Sequence, residues 1–213
     1  MNDRLPSRLY AIVDAGDDGR RDLVRLTEDL LRGGARLLQL RCKRAGAAAF
    51  LDAAIECQRL AARSGARLLI NDRVDVALAC GADGVHLGQS DLPLAAARRL
   101  LGADRWIGIS THDVEQARAA AAGGADYIGF GPIFATPTKQ TGYSPRGLGG
   151  LRSVRAAVSL PIVAIGGIDL ANAPEVVGAG ADAAAMISAL ATARDVAAAV
   201  RVALERLAGA RSP

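Results

Sequence analysis

The sequence predicts a single α/β domain folded as a closed (βα)8 TIM barrel, and three observations lead there. Short apolar runs alternate with Ala/Leu/Arg-rich stretches of helical spacing eight times along 213 residues. The apolar runs are near-continuous, as expected of parallel strands buried on both faces. A Gly-Ala-(Arg or Asp) tripeptide recurs at six of the junctions where a helix gives way to a strand, and the length suits one compact barrel spanning residues 1–213.

In chain order, the first strand is expected over residues 9–13 and the first helix over 20–32. Gly34-Ala35-Arg36 stops that helix, because Gly accepts positive φ cheaply just past a helix C-terminus. Strand two follows over 37–41 and a helix over 47–63. Gly65-Ala66-Arg67 leads into strand three (67–70), and Gly81-Ala82-Asp83 into strand four (84–87). A helix over 94–101 stops at Gly102-Ala103-Asp104, before strand five (106–109). The next helix, 114–122, has a cap at Thr111 to Asp113 and stops at Gly124-Ala125-Asp126, before strand six (127–131). Ser159-Leu160-Pro161 does the same job before strand seven (162–165), Gly180-Ala181-Asp182 before strand eight (184–187), and a helix over 196–207 comes last. The longest irregular stretch, 132–146, has the length of a functional loop rather than a connector.

Composition removes several classes of function. No apolar run approaches the roughly 20 residues that span a bilayer, and the charged first residues lack a signal-peptide core. Cys42, Cys57 and Cys80 show no CxxC spacing and read as reduced thiols, which points to the cytoplasm. Only His86 and His112 could join them on zinc. The net charge of +4 is spread along helices, and 3% aromatic residues make no stacking platform, so nucleic acid is not an expected partner. The expected partners are small anionic molecules. Homo-oligomerisation is left open. Of 26 basic residues only Lys43 and Lys139 are lysine, which suggests a need for a compact ammonium at those two positions.

Chemistry in such a barrel sits at the C-terminal ends of the strands. Strand two ends Gln39-Leu40-Arg41-Cys42-Lys43, where alternation puts Gln39, Arg41 and Lys43 on one face. Two unpaired cations in a low-dielectric mouth are costly, so a bound anion is their expected partner; a solvated charged edge is the alternative. Asn71-Asp72 after strand three and Asp91 after strand four add two carboxylates, hard ligands suited to Mg2+ bridging to phosphates. Each Asp alone could equally cap a helix. Ser110 and His112 reach the rim after strand five, and Thr136-Pro137-Thr138-Lys139 forms a proline-stiffened loop that could clamp an anion. Gly166-Gly167 and Ile187-Ser188 follow strands seven and eight, where backbone N–H groups form the usual phosphate site of this fold. Two anion sites suggest transfer between two phosphorylated substrates.

At these residues the sequence resembles the thiamine-phosphate synthase family. The resemblance rests on Gln39-Leu40-Arg41-Cys42-Lys43, Asn71-Asp72-Arg73-Val74-Asp75, Asp83-Gly84-Val85-His86-Leu87-Gly88-Gln89, Gly129-Phe130-Gly131-Pro132-Ile133-Phe134 with Thr136-Pro137-Thr138-Lys139, and Ala164-Ile165-Gly166-Gly167-Ile168. It implies a transferase that joins a pyrimidine diphosphate to a thiazole phosphate with Mg2+. Gln39 would then hold the aminopyrimidine, and Arg41, Lys43, Asn71 and Lys139 the diphosphate. Asp72 and Asp91 would hold Mg2+, and Ser110 would stand near the reacting pyrimidine. Thr136, Thr138, Gly167, Ile187 and Ser188 would hold the thiazole phosphate, and Arg41, Lys43, Ser110 and Lys139 are the expected catalytic set. Cys42 stands where the family commonly has Glu, and residues 140–145 follow no family pattern. The rivals are a thiazole tautomerase on the same barrel and a non-catalytic phosphate-sensing barrel. On this reading, Arg41→Ala and Lys43→Ala should weaken binding and turnover while sparing the fold.

Overall fold

The structure, a computed structural model, describes residues 5–16, 19, 21–136 and 143–210. Strands β1 (Leu9–Asp14), β2 (Leu37–Arg41), β3 (Arg67–Asn71), β4 (Gly84–Leu87), β5 (Trp106–Thr111), β6 (Tyr127–Phe130), β7 (Ile162–Ala164) and β8 (Ala183–Met186) pair in chain order. All pairs are parallel, and β8 returns to β1 through Leu9↔Ala184 and Ala11↔Met186, closing the barrel. The helices are α1 (Leu23–Arg32), α2 (Ala47–Arg63), α3 (Val74–Cys80), α4 (Leu94–Leu101), α5 (Val114–Ala122), α6 (Gly147–Ala157), α7 (Ala173–Gly178), α8 (Ser188–Ala191) and α9 (Val196–Gly209). The α/β barrel expected from the repeat is therefore the observed fold. Arg21 and Asp22 precede α1, which starts at Leu23 because the Asp22 carboxylate accepts the Arg25 N–H (3.0 Å) as its cap.

The alternation of side chains sorts each strand into two faces. Leu38 and Leu40, Leu68 and Ile70, Ile107 and Ile109, and Ile128 and Phe130 face outward into the layer beneath the helices. Tyr10, Ile12, Leu37, Leu69, Tyr127, Val163, Ala183 and Ala185 face inward and fill the lumen, with Trp106 packed against them. Gln39, Arg41, Asn71, His86 and Ser110 continue the inward face towards the C-terminal rim, where they line a cavity. The apolar inner layers thus form a floor, and Tyr10, Ile12, Val163 and Ala185 of that floor line the cavity together with the polar layer above it.

Strands β3 and β5 run further than their apolar residues suggest. Asn71 pairs with His86, and Ser110 and Thr111 with Gly129 and Phe130, because the backbone ladder is indifferent to side-chain polarity. Gly131 and Ile165, expected in strands, lie just beyond β6 and β7, and β8 begins at Ala183 and ends before Ile187.

The Gly-Ala repeat does more than stop helices. All six of its glycines adopt positive φ. At Ala35, Ala66, Ala82, Ala125 and Ala181 the alanine N–H reaches the carbonyl five residues back, and each alanine is buried. Where Asp comes third, before β4, β6 and β8, it also ties the new strand to its predecessor. The N–H groups of Leu68, Ile107 and Ile162 donate to the carboxylates of Asp83 (2.9 Å), Asp126 (2.7 Å) and Asp182 (2.8 Å). In return, the Asp N–H groups donate to the carbonyls of the same three residues. Arg98 and Arg155 reach the Asp126 and Asp182 carboxylates from α4 and α6.

Asp126→Ala is expected to strand the buried Ile107 N–H and cost about 1–3 kcal/mol. Thermal melting checks this against Asp104→Ala. Asp104 is exposed and belongs to the copy whose alanine is also exposed, so its loss should move stability by no more than about 0.5 kcal/mol.

Candidate active site

The polar rim encloses a cavity of about 350 Å³ at the C-terminal ends of the strands. Gln39 and Arg41 enter it from β2, Asn71 from β3, His86 from β4, and Ser110 from β5. Thr136, Gly167, Ile187 and Ser188 line the same cavity, joined by Gly166, Asp169 and Thr192. Eight of the residues singled out from the sequence therefore meet in one space, as their strand-end positions require. Thr138 and Lys139 lie outside the described residues.

The cationic side departs from expectation in one respect. Gln39 and Arg41 share the inward face, but β2 ends at Arg41, and Lys43 stands beyond it with half its side chain exposed (51%). Neither cation is without a protein partner. Arg41 pairs with Asp14 at the end of β1, a contact in which their side chains are 18% and 6% exposed. Lys43 pairs with Asp72. Asp14 also accepts the Gly16 N–H (2.7 Å), and its carbonyl accepts from Arg21 (2.8 Å), so three groups hold it in place. Sequence reading missed Asp14, although its place at the end of a strand beside β2 was the available signal.

Neither Asp72 nor Asp91 caps a helix. The N-cap of α3 is Arg73 and that of α4 is Pro93, and no side chain makes a capping bond at either. Asp72 is the only described non-glycine residue with positive φ (64°), a backbone conformation that costs energy and marks functional positions. The Asp91 carboxylate accepts the Gly88 N–H (2.7 Å) and lies against Asp72.

A further set of groups was not foreseen. A chain of hydrogen bonds crosses the floor of the cavity from β2 to β5. Gln39 Nε2 donates to Tyr10 Oη (3.0 Å), which meets Tyr127 Oη (2.9 Å). Tyr127 Oη in turn meets His86 Nδ1 (2.9 Å), and His86 Nε2 meets Ser110 Oγ (2.9 Å). Burial pushes the Tyr10 hydroxyl up to about 12 and the Tyr127 hydroxyl well above its ordinary range, so both stay protonated. Two glycines make room. A Cβ at Gly108 would stand 2.0 Å from Tyr127 Cζ, and one at Gly129 would stand 2.8 Å from His86 Cε1. A glycine inside an apolar strand is the sequence signal for such close approach, and Trp106-Ile107-Gly108 and Tyr127-Ile128-Gly129 both carry it. At the rim, His112 Nδ1 bonds the Gly131 carbonyl (2.6 Å) and its ring stacks on Tyr143 (3.8 Å between centroids).

Comparison with known proteins agrees with this geometry. The family model described as thiamine monophosphate synthase matches residues 9–190. The chain belongs to that family. It is 50% identical to the thiamine-phosphate synthase of Chloroflexus aurantiacus, over 91% of this chain and 89% of that one. It is 46% identical to the thiamine-phosphate synthase of Moorella thermoacetica, over 91% and 92%. The solved thiamine phosphate pyrophosphorylase of Pyrococcus furiosus superposes with a TM-score of 0.85 at 36% identity, covering 94% of this chain and 95% of that one. Within this family of transferases the chain is an enzyme of the thiamine-phosphate synthase type.

A divalent metal fits the residues that a thiamine monophosphate synthase offers here. Among the described residues no cluster of three or more His, Cys, Asp or Glu side chains could form an all-protein cage. What the rim provides is two adjacent carboxylates. The Asp91 carboxyl is pushed up, first by burial and then by its contact with Asp72, with Lys43 offsetting only part of this, so a further cation beside the pair would be favourable. A two-carboxylate site open to substrate phosphates suits Mg2+, which keeps several non-protein oxygens. The cysteines have no such role. All three are free, and burial pushes the Cys57 thiol up to about 11, where it is unreactive. No helix among the described residues is long and apolar enough to cross a membrane.

Proposed function

We propose that this chain joins an aminopyrimidine carrying a diphosphooxymethyl group to a thiazole phosphate, giving thiamine phosphate and diphosphate. The observation that carries the reading is a single cavity lined by Gln39, Arg41, Asn71 and Ser110, from β2, β3 and β5, and by Thr136, Gly167, Ile187 and Ser188, from beyond β6, β7 and β8. Such a space can present two phosphorylated molecules to each other. The curated relatives named thiamine-phosphate synthase support the same pairing.

In the substitution, the bond between the pyrimidine methylene and the diphosphate oxygen breaks, and its electron pair leaves with the diphosphate. The thiazole nitrogen lone pair forms the new C–N bond. That nitrogen carries no proton, so the step needs no general base. An electron-rich aminopyrimidine can share the methylene's positive charge, which favours a dissociative course. Gln39 holds the ring, and Arg41, already oriented by Asp14, stabilises the departing diphosphate with Asn71, Lys43 and Lys139. Asp72 and Asp91 would hold Mg2+, which when bound neutralises diphosphate charge. Thr136, Thr138, Gly167, Ile187 and Ser188 bind the thiazole phosphate through hydroxyls and backbone N–H groups.

An assay supplying both substrates with Mg2+ tests the reading directly. Formation of thiamine phosphate is expected. Isomerisation of a thiazole phosphate without coupling would replace it with the tautomerase reading.

Asp72→Asn and Asp91→Asn should each raise the Mg2+ concentration for half-maximal activity, because each removes an anionic hard ligand. A carboxyl whose folded pKa is raised costs stability above that pKa, and the cost fades as pH falls below it. Asp91→Asn should therefore raise the melting temperature of metal-free protein at neutral pH, and the gain should shrink towards acid pH. Unchanged Mg2+ dependence in both variants would remove the metal site.

A further inference from the structure

We infer that the buried chain Gln39–Tyr10–Tyr127–His86–Ser110 is directional, fixing His86 with its proton on Nε2 so that the Ser110 hydroxyl points its own proton into the cavity. The direction follows from counting donors. Gln39 donates to Tyr10 Oη through its amide nitrogen (3.0 Å), so the single Tyr10 proton is left for Tyr127 Oη (2.9 Å). Tyr127 accepts that bond and spends its own proton on His86 Nδ1 (2.9 Å). A neutral imidazole that accepts at Nδ1 carries its proton at Nε2, which then donates to Ser110 Oγ (2.9 Å). Ser110 lines the cavity, and its oxygen has accepted a bond, so its hydroxyl proton is directed towards whatever occupies that space. Both tyrosine hydroxyls stay protonated, so each link has one proton to give.

The consequence is chemical. A serine beside a histidine suggests an activated nucleophile, but that requires a bare Nε2 to take the serine proton. Here Nε2 is the donor, so Ser110 is a hydrogen-bond donor to an acceptor atom of the ligand, such as an aromatic ring nitrogen. Tyr10, Tyr127 and His86 are positioning residues that act through Ser110. The glycines that leave space for the Tyr127 and His86 rings, Gly108 and Gly129, belong to the same device. The identity of the acceptor rests on the proposed function, whereas the position of the histidine proton does not.

The test is nitrogen-15 NMR of the histidine rings in the free protein, with His112→Asn used to assign the signals of the two histidines. The expected spectrum shows His86 protonated at Nε2 and bare at Nδ1. Tyr127→Phe should abolish this single tautomer and lower kcat about tenfold, the effect of one lost hydrogen bond, with KM for the thiazole phosphate unchanged. Should Tyr127→Phe not fold, the spectrum of the unsubstituted protein decides alone. A wild-type His86 protonated at Nδ1, or a tautomer indifferent to Tyr127→Phe, would overturn the inference. Failure to form thiamine phosphate would overturn the proposed function and leave the tautomer result standing.

Discussion

Arg41→Ala should lower stability by about 3–5 kcal/mol as well as abolish most turnover, because it leaves the Asp14 carboxylate buried without its cation. For a chain of this size that is a fall in melting temperature on the order of 10 °C. The sequence alone suggested that the fold would be spared. The buried pair with Asp14 argues for the opposite outcome, since Arg41 has a structural partner before any ligand arrives. The decisive comparison is the double variant Asp14→Leu/Arg41→Met, which removes both charges and fills their volume with apolar groups. Replacing a whole buried pair is often neutral for stability. Melting temperature should therefore recover while turnover does not. A double variant as unstable as Arg41→Ala would place the cost in packing rather than in the stranded charge.

Gly108→Ala should be among the most damaging single methyl groups in the lumen. Its Cβ would stand 2.0 Å from Tyr127 Cζ and 2.4 Å from Tyr127 Oη. Tyr127 cannot yield, since it is buried among Tyr10, His86 and Trp106 and bonded to two of them. Overpacking of this kind costs roughly 1–3 kcal/mol or more. Turnover should fall further than stability, because a displaced Tyr127 loses its bond to His86. Gly149→Ala in α6 is the control. Nothing lies within 4 Å of its Cβ, and alanine is favoured over glycine in a helix by about 1 kcal/mol. Melting curves and initial rates for the two variants should move in opposite directions in stability and differ widely in rate. Wild-type rates in Gly108→Ala would separate the lumen chain from the chemistry.

These two residues also show what the sequence discloses and what it withholds. Barrel order was legible because each Gly-Ala junction is a local event, decided within one helix end. The rim residues Gln39, Asn71, Ser110 and Ser188 were legible because position at a strand end is enough to place them. Lumen partners were not. Tyr10, His86 and Tyr127 are far apart in sequence and ordinary as strand residues, and only closure of the barrel brings their polar atoms to 2.9 Å. Asp14 was hidden for the same reason, as pairing of β1 with β2 sets Asp14 opposite Arg41. The carboxylates Asp72 and Asp91 were legible as residues but ambiguous in role, and the cap bonds that would have explained them away are absent at both helix starts.

The aspartates that follow Gly-Ala have a mechanical consequence. They fasten β4 to β3, β6 to β5 and β8 to β7, and the junction before β5 has no such tie because Asp104 turns outward into solvent. Six of the eight strands are thus riveted in twos, with seams between the pairs, while β1 and β2 carry no tie of this kind. Breathing of the closed wall is expected to start along those seams, at β4–β5 and β6–β7, while the strands of each riveted pair move together. Because every rivet sits at the floor end of the strands, the wall can flex at its open rim without unzipping below.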